Sequence, residues 1–202
     1  MGPRLRLFIL TRHAHSALNS EGRINGDPSV SVPLTDEGRA AAAVLGHQLS
    51  ELRLDLCVHT RFPRTRETAE CILQGRQVPV IEEPLLDDVD VGDLEGDTVA
   101  DYRAWKRAHL RSDPFPGGES LDDAARRYAR AFRRLLDRDE TVTLVVCHEI
   151  PIRYALNAAA GSEDLDAPEH GIPNATPYLF DDDALVRAVE GIERLVANPS
   201  AP

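Results

Sequence analysis

Two short apolar runs that each stop at a histidine constrain this chain more than any other feature. Residues 5–10 lead through Thr11 and Arg12 to His13, and residues 141–147 lead directly to His148. Runs of this length, rich in Leu, Ile, Val and Phe, read as strands buried on both faces. Such strands belong to parallel sheets covered by helices, where ligands collect beyond the strand carboxyl ends and loops are free to carry function. Further strand-like runs lie at 54–58, 78–81 and 176–180, with 184–189 as a sixth candidate. Helical periodicity fills the intervals. Thr35 can cap a helix with Ala41, Val44, Leu45, Leu49 and Leu52 on one face, Ser120 can cap another reaching 137, and 65–73, 97–107 and 150–160 supply three more. The alternation predicts an α/β fold, a three-layer α/β/α sandwich with a mostly parallel central sheet. With 202 residues, 42% of them hydrophobic, the expectation is a single domain over 1–202, its last residues 198–202 a flexible tail and 162–169 an acidic surface loop.

A lone histidine in a loop is more often a satisfied surface residue than a catalyst, so position alone does not make a site. Arg12 adds a guanidinium beside His13, and Arg64 adds another in the turn after the 54–58 run. A planar guanidinium matches phosphate oxygens in pairs and keeps its charge at any working pH. The segment from Leu86 to Gly96 then supplies carboxyls, among them Asp87, Asp88 and Asp90. Two strand-end histidines, two arginines and a carboxyl-rich loop together predict a site that binds an anion and transfers it to nitrogen.

Arg12-His13 with Ser16 and Asn19, then Gly26, Pro33-Leu34-Thr35 and Gly38, resembles the N-terminal signature of the histidine phosphatase superfamily, the phosphoglycerate-mutase-like enzymes. Thr60 to Ala69 is similar to that family's Ser-x-x-x-Arg-x-x-x-Thr-Ala turn, and Leu86 to Gly96 to its acid loop. Gly118-Glu119-Ser120 and Val145-Val146-Cys147-His148 complete the series. The resemblance implies a phosphoglycerate-mutase-like fold and roles residue by residue. His13 would be the nucleophile that becomes phosphohistidine. Arg12, Arg64 and His148 would line the phosphate pocket with Asn19 near its edge, and Asp88 would hold the proton donor's position. Two guanidiniums and an imidazole suit the charge of a transferring phosphoryl group, and the arginines should keep His13 neutral. The chain departs from the pattern at Ala14, His15, Cys147 and Glu149, and its acid is an aspartate where many members have glutamate. That shorter arm leaves Asp87 and Asp90 as rival donors.

The expected reaction is metal-independent hydrolysis of a small phosphorylated metabolite, with no cofactor and no metal ligands. Phosphoglycerate mutase-type transfer is the alternative; the interval 97–117 has room for little more than one helix, which favours hydrolysis. The His13-Ala14-His15 spacing keeps a metal-dependent hydrolase open, though no further histidine pair completes a binuclear site. A non-catalytic phosphate-binding module is the third reading. A net charge of −11 argues against nucleic acid or an anionic membrane as partner. A homodimer is an open expectation. No long apolar stretch is present and Cys57, Cys71 and Cys147 form no metal-binding pair, so a cytoplasmic location is expected. The arginine stripes Arg126, Arg127, Arg130, Arg133, Arg134 and Arg103, Lys106, Arg107, Arg111 read as solvated helix faces.

Overall fold

Period-two burial along the strands decides the layering. In the computed structural model, which describes residues 5–197, the strands are β1 (Leu7–Arg12), β2 (Leu56–His59), β3 (Val80–Glu82), β4 (Val142–Cys147) and β5 (Pro177–Phe180). Phe8, Leu10, Leu56, Val58, Val145 and Cys147 enter one core, while Ile9, Cys57, Leu144 and Val146 enter the other. Helices α5 (Leu121–Leu136), α6 (Glu149–Ala159) and α7 (Asp182–Ala197) cover the first face. Helices α2 (Asp36–Gln48) and α3 (Pro63–Ile72) cover the second. Two more, α1 (Ala17–Ser20) and α4 (Val99–Ala108), lie in the loops at the strand carboxyl ends. The result is the expected three-layer sandwich. The tail expected at 198–202 lies outside the described residues.

The sheet order is β3-β2-β4-β1-β5, parallel throughout except for β5, which runs antiparallel to β1. The chain crosses from β1 to β2 and β3, then returns to insert β4 between β2 and β1. The crevice at that reversal is where open α/β sheets bind ligands. Arg12 pairs in register with Cys147, so His13 and His148 leave neighbouring strands at the same level.

Local chemistry fixes the helix starts. The hydroxyls of Thr35, Thr98 and Ser120 accept from the amides of Gly38, Asp101 and Asp123 at 3.0, 3.2 and 3.0 Å, caps worth about 1 kcal/mol each. Three sequence expectations are corrected. The sixth strand at 184–189 is part of α7, because Leu185, Ala188, Val189, Ile192 and Val196 recur at helical spacing and are all buried. The apolar face of α2 is Gly38, Ala42 and Leu45 with Leu49 beyond its end, whereas Ala41 is exposed and Val44 and Leu52 are 58% and 36% exposed. The 162–169 loop is only partly superficial, since Leu165 is buried and Asp166 reaches inward.

Candidate active site

His13 follows β1 with its backbone fixed from three sides. Its amide donates to Cys147 O at 2.9 Å, its carbonyl accepts from Asn174 Nδ2 at 2.6 Å, and the Ala14 amide donates to Thr68 Oγ1 at 2.9 Å. The imidazole Nδ1 lies 2.8 Å from Ala14 O. A carbonyl oxygen only accepts, so Nδ1 carries the proton and the neutral ring keeps its lone pair on Nε2. Arg64 Nε donates to that atom at 3.0 Å. Burial, then Arg64 and Arg12, hold the His13 pKa well below the ordinary histidine value. The ring therefore stands neutral with a nucleophilic Nε2. Ala14 avoids the left-handed region and packs fully buried beside Leu34 and Ala42, so a methyl costs nothing there.

Arg64 is the hub of the site. Set in the first turn of α3 and 3% exposed, it touches His13 through Nε, Asn25 Oδ1 through Nη1, and three groups through Nη2. Those are Asn25 O at 3.1 Å, Asp88 Oδ2 at 3.1 Å and His148 Nδ1 at 3.2 Å. His148 is wholly buried, its ring centroid 5.5 Å from that of His13. Its Nε2 sits 2.9 Å from Thr60 Oγ1, which lies 2.9 Å from Thr65 Oγ1, which in turn donates to Phe62 O at 2.8 Å. Read as one donor chain, this puts the His148 proton on Nε2 and turns Nδ1 toward Arg64. Burial, Arg64 and His13 lower its pKa well below the usual value too.

Asp88 Oδ2 lies 3.4 Å from His148 Nδ1. Burial raises the Asp88 pKa above the usual carboxylate value, against the opposing pull of Arg64. Its two rivals are placed elsewhere. Asp87 turns the other way, accepting from Arg61 N at 3.0 Å and from Arg61 Nε. Asp90 binds the Gly92 amide at 3.0 Å. Neither lines the cavity that holds His13.

That cavity, about 420 Å³, takes in Arg12, His13, Asn19, Arg64 and Asp88; His148 backs it through Arg64 and Asp88. Arg12 Nη1 donates to Ile172 O at 2.8 Å and pairs with Glu149 Oε2 at 2.8 Å, leaving its buried Nε without a partner among the described residues. Asn19 Oδ1 accepts from Ser16 N at 3.1 Å, so its amide nitrogen is the end left for a ligand. The remaining wall is cationic. Glu149 Oε1 pairs with Arg153, and Asp166 gathers Arg153, Lys106 and Arg111. Lys106 and Arg111 are thus not a solvated face as the sequence predicts; Arg103 is exposed yet lines the cavity. Six cations and three carboxylates line it altogether, a positive island in a chain of net charge −11. His15, the other half of the candidate metal pair, bonds Thr35 Oγ1 at 3.2 Å instead. Among the described residues no group of three or more His, Cys, Asp or Glu side chains is arranged to hold a metal ion, and no helix is long and apolar enough to cross a membrane.

Sequence reasoning missed Asn25, Asn174, Arg127 and Arg153. Asn25 is oriented by Glu95, whose carboxylate accepts from Asn25 Nδ2 at 2.7 Å, Gly26 N at 2.6 Å and Asp27 N at 3.1 Å. The signal for it was available, because Gly26 and Glu95 stand within the recognised motifs.

The profile of the histidine phosphatase superfamily (branch 1) matches residues 8–191, and the chain belongs to that superfamily. It is 30% identical over 180 residues to phosphoserine phosphatase 1 of Hydrogenobacter thermophilus, covering 84% of this chain and 83% of that protein. It is also 35% identical over 140 residues to 2,3-bisphosphoglycerate-dependent phosphoglycerate mutase 2 of Gloeobacter violaceus, a match spanning 63% of this chain and 62% of the mutase. Among solved structures, a candidate alpha-ribazole-5′-P phosphatase of Escherichia coli superposes with a TM-score of 0.78 at 25% identity, covering 87% of this chain and 90% of its own.

Proposed function

We propose that this protein is a phosphomonoesterase that hydrolyses a small phosphorylated metabolite through phosphohistidine at His13, without a metal. The observation that carries the reading is the His13 tautomer: Nδ1–H is tied to Ala14 O and the Nε2 lone pair faces the cavity's guanidinium hub. Nε2 attacks phosphorus, the P–O bond to the leaving alcohol breaks, and Asp88 gives that oxygen its proton. Water then attacks the phosphohistidine, passing its proton to the Asp88 carboxylate and restoring His13. Arg12 and Arg64 hold the phosphoryl oxygens, with Asn19 at the edge, while His148 stands behind the cavity and orients Arg64 by accepting from its Nη2. Charge stabilisation and covalent capture divide the barrier into two smaller ones.

Hydrolysis is favoured over transfer to an acceptor by the short 97–117 interval, which holds α4 and a turn and little else. The cationic wall supports a substrate bearing a second acidic group. A phosphate dianion leaves part of that positive charge unmatched, and the Tyr102 hydroxyl and Arg153 Nε are buried on this wall without partners among the described residues. Glycerol 3-phosphate and 3-phosphoglycerate, which differ by a hydroxymethyl against a carboxylate, test both points. The expected result is EDTA-insensitive release of inorganic phosphate, with higher kcat/KM for the acid. Isomerised ester without phosphate release would make the chain a mutase, and activity abolished by EDTA and restored by zinc would revive the metal reading.

A further inference from the structure

Arg127 looks like one member of a solvated stripe on α5, yet it is turned inward. Its Nη1 donates to the carbonyl oxygens of Leu85 and Asp87 at 3.0 and 2.8 Å, and its Nη2 to Asp88 O at 3.0 Å. The same guanidinium grips Glu119 with both Nε and Nη2. Glu119 in turn accepts from Asp90 N at 3.0 Å through Oε1, and its own amide donates to Asp90 O at 3.0 Å. One ion pair therefore binds the acid loop by three carbonyls and closes its far end at Asp90. Only a planar fork reaches three carbonyls and a carboxylate at once.

This matters because two adjacent aspartates compete for one role. Asp87 sits at φ −54°, ψ 156°, in the polyproline II region, whose threefold period turns successive side chains apart. Asp87 faces Arg61 while Asp88 faces Arg64. Burial raises both carboxyls above the ordinary value, so the direction of the shift does not separate them, whereas their orientation does.

We propose that Arg127, braced by Glu119, is the positioning residue that selects Asp88 over Asp87 as proton donor, by fixing the peptide planes on either side of the pair. This rests on the reading of Asp88 as the acid. The test compares an alkyl phosphate, whose leaving group needs a proton, with p-nitrophenyl phosphate, whose leaving group does not, in wild type, Arg127→Lys, Arg127→Met and Glu119→Gln. Vanadate inhibition reports the phosphate pocket.

In Arg127→Met the alkyl kcat should fall about 100-fold, the lower range of general-acid catalysis, with aryl turnover within about threefold and vanadate affinity unchanged. Arg127→Lys should be intermediate. Glu119→Gln keeps the shape and should give the same signature more weakly, and it carries the test if Arg127→Met does not fold. The alkyl pH profile should keep an alkaline limb, displaced from its wild-type position in the same order as Asp87 takes over the role. Asp87→Asn alone should leave the alkyl-to-aryl ratio as in wild type, whereas in the Arg127→Met background it should remove the residual alkyl activity. Equal loss on both substrates, or loss of vanadate binding, would overturn the proposal and make Arg127 a support of the whole pocket. Equal loss on both substrates in Asp88→Asn would instead remove the underlying assignment of the acid.

Discussion

At the scale of single residues, His13 and Asp88 are shifted in opposite senses, and activity should record both shifts. The His13 pKa is lowered by burial and the two arginines, so the attacking neutral form survives to well below pH 6.5. That of Asp88 is raised by burial, so the donating acid form survives above the usual carboxylate range. Rate on an alkyl ester should therefore fall on the acid side as His13 protonates and on the alkaline side as Asp88 ionises. Asp88→Asn should remove the alkaline limb and slow alkyl esters by about 10²- to 10⁴-fold while aryl esters lose far less. Persistence of the alkaline limb in that variant, measured as kcat/KM against pH, would assign the donor elsewhere. His13, Arg12, Arg64 and His148 were legible in the sequence because each sits at a strand or turn end next to an apolar run. Asn25, Asn174 and Arg127 were not, because they reach the site through partners distant in the chain, Arg64, His13 and the acid-loop carbonyls.

Elements carry constraints that single residues conceal. Helix α2 contributes no group to the cavity, yet it abuts the loop that follows His13: a Cβ at Gly38 would stand 2.1 Å from His15 O. The Thr35 cap sets this approach, its amide donating to the same carbonyl at 2.9 Å. Gly→Ala in an exposed helix normally stabilises by about 1 kcal/mol. Here Gly38→Ala should instead cost about 1–3 kcal/mol by overpacking and lower kcat as His13 is displaced. Urea unfolding together with turnover checks it, and a more stable, fully active variant would contradict it. Element types were largely legible, since capped helices and strand-like runs announce themselves. The errors have local causes. The alanine run at 40–43 blurs the stripe of α2, so the sequence pattern puts Leu45 and Leu49 on the buried face correctly but Ala41 and Val44 in place of Gly38 and Ala42. The six residues at 184–189 fit either period, and only continuation to Ile192 and Val196 reveals α7.

For the molecule as a whole, what the sequence could not display is the return of β4 between β2 and β1. Nothing in residues 141–147 names their neighbours, but the sheet order makes three separate strand ends into one cavity. Charge is partitioned by the same topology: a chain of net charge −11 turns Arg12, Arg64 and Arg153 inward around one cavity. Under the proposed function, this partition would favour a small anion in the crevice over a polyanion at the surface. The central claim is that this topology makes His13, and not the equally buried His148, the phosphoryl acceptor. Rapid-quench labelling with a ³²P-phosphomonoester, followed by mass-spectrometric mapping, tests it most directly. The account predicts acid-labile, alkali-stable phosphate on His13 within a single turnover and none in His13→Ala; label on His148, or turnover without any labelled histidine, would contradict it.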